Sequence, residues 1–139
     1  MLDIVVKAKD GFIVAINHKG GQMPLSTLEK EAHRQIHEYV AGERKGFDLP
    51  FRLSGTAFER AVYEQTMTIP YGETKTYGDI AKTLERPGAS RAVGNALNKN
   101  PLFILVPCHR VVAKHDLGGF GGGVALKERL LALEQSYTG

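Results

Sequence analysis

The chain has 139 residues, 42% of them hydrophobic and 24% charged, which predicts one globular domain, or one domain with a small appendage, around an ordinary hydrophobic core. Its net charge of +3 permits a polyanionic partner but does not require one. A single cysteine excludes internal disulfides and cysteine-pair zinc motifs, and the lack of a secretory signal or a membrane-spanning apolar run predicts a reducing, intracellular location, cytoplasmic and with access to the nucleoid or nucleus.

Residues 4–16 predict a β-hairpin, because strand-forming residues flank an Asp-Gly dipeptide that is typical of tight turns. A charged connector that contains glycine and proline follows at residues 43–53. This connector predicts a domain boundary that separates residues 1–50 from residues 51–139. About fifty residues are too few to be robust without docking onto the rest of the chain.

Ser26 predicts the start of an amphipathic helix, because Glu29, three positions later, completes a capping box. Apolar residues then recur at four-residue spacing, and Gly42 is placed to end the helix. His33 and His37 lie one turn apart on this helix, which is the spacing of a metal-binding pair. The glutamate of a zinc-protease motif is missing after His33, so we interpret the pair as a solvated flank of the helix, with metal binding as the less favoured alternative.

Four further helices are predicted in the second part of the chain. Capping boxes at residues 56–59 and 76–79 each predict a helix start, and a Pro-Gly turn at 87–88 precedes another helix at about 89–98. The last helix is predicted at about residues 124–135. Two short helices across a tight turn have the form of a helix-turn-helix, whose second helix reads DNA. The same pattern is common in helical cores that bind nothing.

The helix at about 89–98 begins with small residues around one cation, Arg91. The small residues are Ala89, Ser90, Ala92 and Gly94. They would let the helix backbone approach another surface closely, and Arg91 would then project into a groove of that surface. The alternative is close packing against another helix, with Arg91 as a solvated surface charge.

The most informative stretch surrounds the only cysteine, Cys108, which lies between two apolar runs that read as strands. A lone cysteine is usually a small buried hydrophobe. Here Pro107 would stiffen the approach to the thiol, and His109 is a candidate base. His109 and Arg110 together would favour the thiolate, which is the nucleophilic form. These neighbours favour a reactive cysteine over an inert one.

A glycine-rich run at residues 118–123 contains one aromatic residue, Phe120. The run matches neither the dinucleotide-binding fingerprint nor a phosphate loop. Bare backbone around one aromatic ring suits a loop that approaches a flat ligand closely, and the alternative is a flexible linker.

Together these motifs resemble the methylated-DNA–protein-cysteine methyltransferases, also called O6-alkylguanine-DNA alkyltransferases. The resemblance covers about residues 54–135 and rests on several motifs in the same order. These are Gly72-Glu73-Thr74-Lys75-Thr76-Tyr77, Arg91-Ala92-Val93-Gly94, Asn100-Pro101, Pro107-Cys108-His109-Arg110-Val111 and Lys127-Glu128-Arg129-Leu130-Leu131. The resemblance implies an α+β fold, in which a shortened N-terminal hairpin-and-helix segment precedes a mostly helical, winged-helix-like alkyltransferase domain.

The function that the resemblance implies is DNA repair by a suicide enzyme. Such a protein flips O6-alkylguanine, mainly O6-methylguanine, out of duplex DNA and transfers the alkyl group irreversibly to its own cysteine in one turnover. By this resemblance Cys108 is the nucleophile, His109 is its base acting through water, and Glu134 orients the histidine. Asn100 supports the turn that holds the thiol. No cofactor, metal or membrane is implied, and a monomer is expected.

The resemblance also implies residues that contact DNA and the extruded base. Tyr77 would help to extrude the nucleotide, Arg91 would replace the lost base in the duplex, and the helix at 89–98 would lie in the minor groove. The implied DNA-binding and base-flipping residues are Tyr77, Arg91, Ala89, Ser90, Ala92, Gly94 and Arg110. The implied pocket residues are Phe103, Val111, Phe120 and Gly121.

Three residues depart from the family pattern. Phe120 replaces a common tyrosine and loses a hydroxyl group, and Gly121 offers only a backbone donor to O6. Phe103 is bulky at a pocket position, so we predict slow reaction with benzyl-type substrates. The cysteine-rich zinc site that some members carry in the N-terminal domain is not possible in this chain.

Three other functions are compatible with parts of the sequence. A non-catalytic alkyltransferase-like protein would bind lesions without repairing them, but such proteins lack the cysteine that is present here as Cys108. A plain helix-turn-helix regulator would explain residues 76–98 but not the Pro-Cys-His-Arg stretch. A cysteine hydrolase using Cys108 and His109 would turn over many times and would have no use for Arg91.

Overall fold

The computed structural model describes residues 4–17, 26–114 and 124–136. Within these ranges five α-helices accompany a two-stranded hairpin and a second, very short sheet, so the predicted α+β class is confirmed. None of the helices in these ranges is long and apolar enough to span a bilayer. In chain order the elements are β1 (Val5–Lys9), β2 (Phe12–Asn17), α1 (Thr27–Val40), α2 (Ala57–Met67), β3 (Lys75–Thr76), α3 (Tyr77–Thr83), α4 (Ser90–Asn98), a 3-10 turn (Cys108–Arg110), β4 (Val111–Val112) and α5 (Val124–Ser136).

The predicted N-terminal hairpin is confirmed. Strands β1 and β2 pair antiparallel, and the turn residues Asp10 and Gly11 have φ angles of 53° and 83°. Two successive positive φ values are what a tight turn needs to match the twist of its strands. The register shifts between Lys7 and Ala8, and the amide of Ala8 donates to Oε2 of Glu29 on α1 at 3.2 Å. The irregularity in β1 therefore lies where the first helix docks.

All three predicted capping boxes are present. In α1, α2 and α3 the N-cap hydroxyl accepts from the backbone of the third helical residue, whose carboxylate accepts in return from the N-cap amide. Loss of such a cap typically costs about 1 kcal/mol. Gly42 follows the end of α1 with φ of 81°, a conformation that glycine adopts without steric cost.

Strand β2 connects the N-terminal hairpin to the second part of the chain. Ile13 exchanges backbone hydrogen bonds with the connector, at 2.9 Å to Pro50 and 3.0 Å from Arg52. Ile16 bonds to the stretch before the cysteine: its amide donates to the carbonyl of Pro101 at 2.8 Å, and its carbonyl accepts from the amide of Phe103 at 3.2 Å. One hydrophobic core includes buried residues from both sides of the connector. The domain boundary at residue 50 therefore stays a prediction from composition. The segments on its two sides share one hydrophobic core.

The apolar run before the cysteine forms compact turns, so the expected incoming strand is wrong. Leu105 donates to the carbonyl of Phe103 at 2.8 Å, and Cys108 donates to that of Val106 at 2.8 Å. Ile104 has φ of 71°, which is unfavourable for a β-branched residue. A short apolar run predicts burial but not its backbone path. Only the two-residue strand β4 follows the turn, parallel to β3.

Candidate active site

Asn100 holds the turn that carries the thiol. Its Oδ1 accepts from the amide of Leu102 at 2.9 Å, and its Nδ2 donates to the carbonyl of Val106 at 2.9 Å. The same Nδ2 lies 3.4 Å from Sγ of Cys108. One amide group thus ties together both sides of the loop and faces the sulfur. Cys108 itself is a free thiol with 9% of its surface exposed.

The resting form of Cys108 differs from the expectation. Burial raises the pKa of the thiol, and the hydrogen bond from Asn100 and the positive charge of Lys127 oppose that effect only in part. The cysteine is therefore a neutral thiol in the free protein, because burial outweighs the groups that favour the thiolate, which include the backbone of His109. A buried thiol of this kind needs a base at the moment of reaction.

His109, the residue that follows Cys108 in the chain, forms a buried pair with Glu134. Nε2 of His109 lies 2.7 Å from Oε2 of Glu134. Burial lowers the pKa of His109 in spite of the nearby carboxylate, so the imidazole is neutral. Burial alone would raise the pKa of Glu134, but hydrogen bonds from His109 and Arg110 outweigh it and hold that pKa far below its usual range. The carboxylate is ionised and the histidine is not.

These charges assign the histidine tautomer. An ionised Glu134 can only accept, so Nε2 of His109 carries the proton and Nδ1 carries the lone pair. Nδ1 is buried and has no hydrogen-bond partner among the described residues. An imidazole held in this way is a base at Nδ1, and the carboxylate stabilises the imidazolium that forms when it takes a proton.

Arg110 is the countercharge of Glu134. Its Nε and Nη2 donate to the two carboxylate oxygens, both at 2.8 Å, and its Nη1 donates to the carbonyl of Ile69 at 2.8 Å. The residue is buried, with 8% of its surface exposed. The prediction that Arg110 contacts DNA is therefore corrected, because its guanidinium is committed to a carboxylate that has no access to water.

Two residues of this site were missed in the sequence. Tyr39 on α1 donates its hydroxyl hydrogen to Oε2 of Glu134, and its oxygen lies 3.2 Å from Nε2 of His109. Lys127 on α5 donates to the carbonyl of Val111 at 2.6 Å, and its Nζ lies 3.5 Å from the hydroxyl of Tyr77. Tyr39 gave no local signal, because its partner is 95 residues away.

Lys127 did leave a signal in the spacing of α5. Helical spacing of Leu126, Leu130 and Leu133 predicts an inward face for α5, and all three contact the core, Leu130 as a buried residue and the other two as half-buried ones. The most deeply buried residues also include Lys127, Leu131 and Glu134, which with Leu130 follow the i, i+3, i+4, i+7 pattern of one helix face. The two charged residues were not expected on that face, because charged residues are usually solvated.

The predicted DNA-contacting residues lie on one side of α3 and α4. Ser90, Arg91 and Ala92 are exposed and Ala89 is half-buried, whereas the opposite face of α4 belongs to the core. A methyl group at Gly94 would meet the Tyr77 ring at 3.8 Å, an ordinary contact distance. Packing among the described residues therefore does not require a glycine at position 94. Close approach of another molecule to this face of α4 would require it.

Surface clefts lie on both sides of Tyr77. One of about 480 Å³ is lined by Thr76, Tyr77, Gly78, Asp79, Lys82, Ser90, Ala113 and Lys114. The other, of about 370 Å³, is lined by Tyr77, Ser90, Arg91, Gly94, Asn95 and Asn98. Tyr77 is half-buried at the start of α3, between cations on both sides. A polyanion seated here would meet positive charge in both clefts.

The remaining predicted residues are distributed as follows. Phe103 and Val111 are buried in the core, and their place in a substrate pocket stays a prediction. Phe120 and Gly121 lie outside the described residues. The rings of His33 and His37 are 6.2 Å apart, and no group of three or more metal-ligating side chains occurs in the described ranges.

The chain is similar to known proteins along most of its length. The family described as 6-O-methylguanine DNA methyltransferase, DNA binding domain, matches residues 57–136. A methylated-DNA–protein-cysteine methyltransferase of Methanosarcina acetivorans is 52% identical over 108 residues, which cover 77% of this chain and 69% of that protein.

Solved structures agree with this similarity. The structure of Mycobacterium tuberculosis OGT in complex with DNA matches with a TM-score of 0.86 at 37% identity, covering 96% of this chain and 87% of that one. The M. tuberculosis O6-methylguanine methyltransferase matches with a TM-score of 0.83 at 35% identity, covering 99% of this chain and 94% of the other.

Proposed function

This chain belongs to the methylated-DNA–protein-cysteine methyltransferase family, and we propose that it repairs DNA by moving the alkyl group from O6 of guanine to its own Cys108. The observation that carries the proposal is the buried pair of Glu134 and His109, the residue that follows the only cysteine, with 2.7 Å between Oε2 and Nε2. In this pair the carboxylate is ionised and the imidazole is neutral, so His109 can act as a proton acceptor for the thiol.

In the proposed reaction the thiol of Cys108 loses its proton as the sulfur attacks the alkyl carbon. The sulfur–carbon bond forms, the carbon–O6 bond breaks, and the bonding electrons leave with the guanine. Nδ1 of His109 receives the thiol proton through an intervening water, and the imidazolium then returns one proton through water to the departing guanine anion, so the thiol proton ends on the base and His109 is neutral again. The product is a thioether, which ordinary cellular reductants do not cleave, and the protein therefore acts once.

Asn100 and Glu134 assist without touching the alkyl group. The hydrogen bond from Asn100 to the sulfur favours the anion that develops during attack, because it donates to that charge. Glu134 stabilises the imidazolium for the same reason. Both residues are fixed before the substrate arrives, since each is held by several other hydrogen bonds.

The proposed substrate is duplex DNA, and the damaged nucleotide has to leave the helix. A base inside the stack exposes no path for in-line attack on its alkyl carbon, so extrusion is required at a cost of about a few kcal/mol. The exposed Arg91 would fill the gap, and Tyr77 would stand beside the extruded nucleotide. The small residues Ala89, Ser90, Ala92 and Gly94 would let α4 enter the minor groove. The protein would act wherever DNA is kept, in the nucleoid or the nucleus.

The decisive experiment is intact-protein mass spectrometry after incubation with duplex DNA that contains O6-methylguanine. We expect one methyl group per chain, mapped to Cys108, with none after incubation with unmodified duplex and none in Cys108→Ser. A single cysteine makes the assignment unambiguous. Binding without a mass change would instead indicate a lesion-binding protein or a regulator, and repeated turnover of an acyl substrate would indicate a hydrolase.

A further inference from the structure

We infer that Tyr39, which lies in the N-terminal segment, is a positioning residue for the alkyl transfer. Its hydroxyl group contacts both His109 and Glu134 and fixes the orientation of the imidazole relative to the carboxylate. This inference rests on the proposed function and deepens it. It assigns the N-terminal segment a part in the chemistry, because the rest of the site comes from residues 69–134.

The first argument is the geometry of three polar groups. Tyr39 donates to Oε2 of Glu134, and the same oxygen lies 2.7 Å from Nε2 of His109. The third side of the triangle joins the Tyr39 oxygen to Nε2 at 3.2 Å. A phenol has one hydroxyl hydrogen, and here it is donated in the hydrogen bond to the carboxylate. The tyrosine oxygen can therefore only accept from His109, which keeps the proton of the imidazole on Nε2 and the lone pair on Nδ1.

The second argument is that the phenol remains protonated. Burial, followed by the hydrogen bond to Glu134, raises the pKa of Tyr39 far above its usual range. The pKa of Glu134 lies far below its own, after its hydrogen bonds with His109 and Arg110 offset burial. The proton therefore stays on the tyrosine oxygen, and Tyr39 acts as a fixed donor to Glu134.

The third argument is that the ring of Tyr39 is held rigidly. Only 1% of the residue is exposed. Its ring centroid lies 5.5 Å from that of Phe47, 6.1 Å from that of Tyr71 at an angle of 85°, and 6.5 Å from that of His109. Contacts on several sides fix the ring, so the hydroxyl is delivered to one place.

Removal of the Tyr39 hydroxyl should leave the other hydrogen bonds of Glu134 in place but change the charge that His109 experiences. Glu134 would keep its hydrogen bonds with His109, with two nitrogens of Arg110 and with the amide of Gly72 at 3.1 Å. One donor fewer leaves more negative charge on Oε2, which raises the pKa of His109. The imidazole also loses one of the two acceptors that orient Nε2. A misdirected base slows the transfer even when it is more basic.

The test compares Tyr39→Phe with Tyr63→Phe in the full chain. Tyr63 is an equally buried tyrosine whose hydroxyl donates to the carbonyl of Ala96 at 2.8 Å, outside the Glu134 network. Single-turnover transfer from duplex O6-methylguanine is followed by intact mass as a function of pH, with DNA affinity measured in parallel. The pKa of His109 is followed by NMR of the imidazole nitrogens.

For Tyr39→Phe we expect a transfer rate about 10-fold lower, unchanged DNA affinity, and a pKa of His109 that moves upward together with the acid limb of the rate profile. For Tyr63→Phe we expect the pKa of His109 and the acid limb of the rate profile to stay where they are in the wild type. Wild-type behaviour of Tyr39→Phe in both rate and His109 titration would overturn the inference while leaving the proposed function intact. Equal losses in both variants would also overturn it, because a general loss of packing would then explain them. If the wild-type chain gains no methyl group, the proposed function itself fails.

Discussion

Lys127 and Glu134 lie two turns apart on the same face of α5, and both are fully buried. They reach opposite sides of the thiol-bearing turn. Lys127 holds the carbonyl of Val111 and approaches Tyr77, whereas Glu134 holds His109 and Arg110. One helix therefore contacts both His109, the proposed base, and Tyr77, which we propose to stand beside the extruded nucleotide.

Glu134→Gln is expected to weaken both folding and transfer. The change removes the charge that compensates the buried guanidinium of Arg110, and breaking a buried pair typically costs about 3–5 kcal/mol. Urea denaturation measures the loss, and the single-turnover assay measures the transfer rate. Glu128→Gln, on the exposed side of the same helix, is the matched control and should change neither. A variant as stable as the wild type would mean that Arg110 is not held by this carboxylate.

The free energy of unfolding is expected to fall on acidification from about pH 6.5. His109 has a lowered pKa in the folded state, so the unfolded chain takes up the proton first, near the ordinary histidine value of 6.5, and is favoured as pH falls further. Glu134 acts in the same direction at lower pH. Its folded pKa is depressed, so its contribution is complete above the unfolded value of 4.5 and is lost below it. Urea titrations from pH 8 to about 4 measure the trend.

His109→Gln separates the two contributions to that pH dependence. It should flatten the upper part of the profile, between the unfolded and folded pKa of the histidine, and leave the lower part that belongs to Glu134. A wild-type profile that stays level below pH 6.5 would contradict the burial of a neutral imidazole.

Asn100→Ala is expected to slow transfer and to raise the pKa of Cys108 further. The variant removes the hydrogen bond to the sulfur and leaves the amide of Leu102 without its side-chain partner, whereas the carbonyl of Val106 still accepts from the amide of Cys108. An unsatisfied group of this kind costs about 1–3 kcal/mol when it is buried. The pH dependence of alkylation by iodoacetamide reports the thiol. Asn17→Ala, at an exposed position in β2, is the control, and identical thiol titrations in the two variants would refute the role of Asn100.

Arg91→Ala is expected to impair repair of duplex DNA without impairing the chemistry. Arg91 is exposed on α4, whereas His109 and Glu134 form a buried pair, and Arg91 is not part of that pair. Without a side chain to fill the gap, extrusion becomes less favourable, and a loss of about 10-fold or more in duplex repair follows. Transfer from free O6-benzylguanine should keep its rate. Arg60→Ala, another exposed arginine, should behave like the wild type in both assays, and an equal loss on the free base would place Arg91 in the chemistry instead.

Phe103→Ala is expected to cost stability and to widen substrate choice. Phe103 is 6% exposed and belongs to the core, so its truncation opens a cavity at a typical cost of about 3–5 kcal/mol. If its bulk also narrows the pocket, benzyl transfer should accelerate relative to methyl transfer. Comparison of O6-benzylguanine with O6-methylguanine at a temperature where both proteins are folded measures the ratio. An unchanged ratio would leave Phe103 as a core residue alone.

Local patterns in the sequence were enough to predict the elements that depend on near neighbours. The turn at Asp10 and Gly11 requires two positive φ angles, and an Asp-Gly dipeptide supplies them. The capping boxes, such as Ser26 with Glu29, are satisfied within four residues. The order of the Pro-Cys-His-Arg stretch and its companion motifs also predicted the family, which the comparisons confirm. The turn, the capping boxes and each separate family motif are complete within a short stretch of chain.

The tertiary structure alone decided where charge could be buried. Glu134 and Lys127 are buried although local pattern alone places charged residues in solvent, because burial of a charge is costly until its partners are in place. Those partners come from distant parts of the chain: Tyr39 from α1, and His109 and Arg110 from the thiol turn. The contact with Glu134 makes Arg110 a structural residue, and burial in the folded chain leaves Cys108 a neutral thiol. Electrostatic roles depend on distances between residues remote in sequence, and only the folded chain sets those distances.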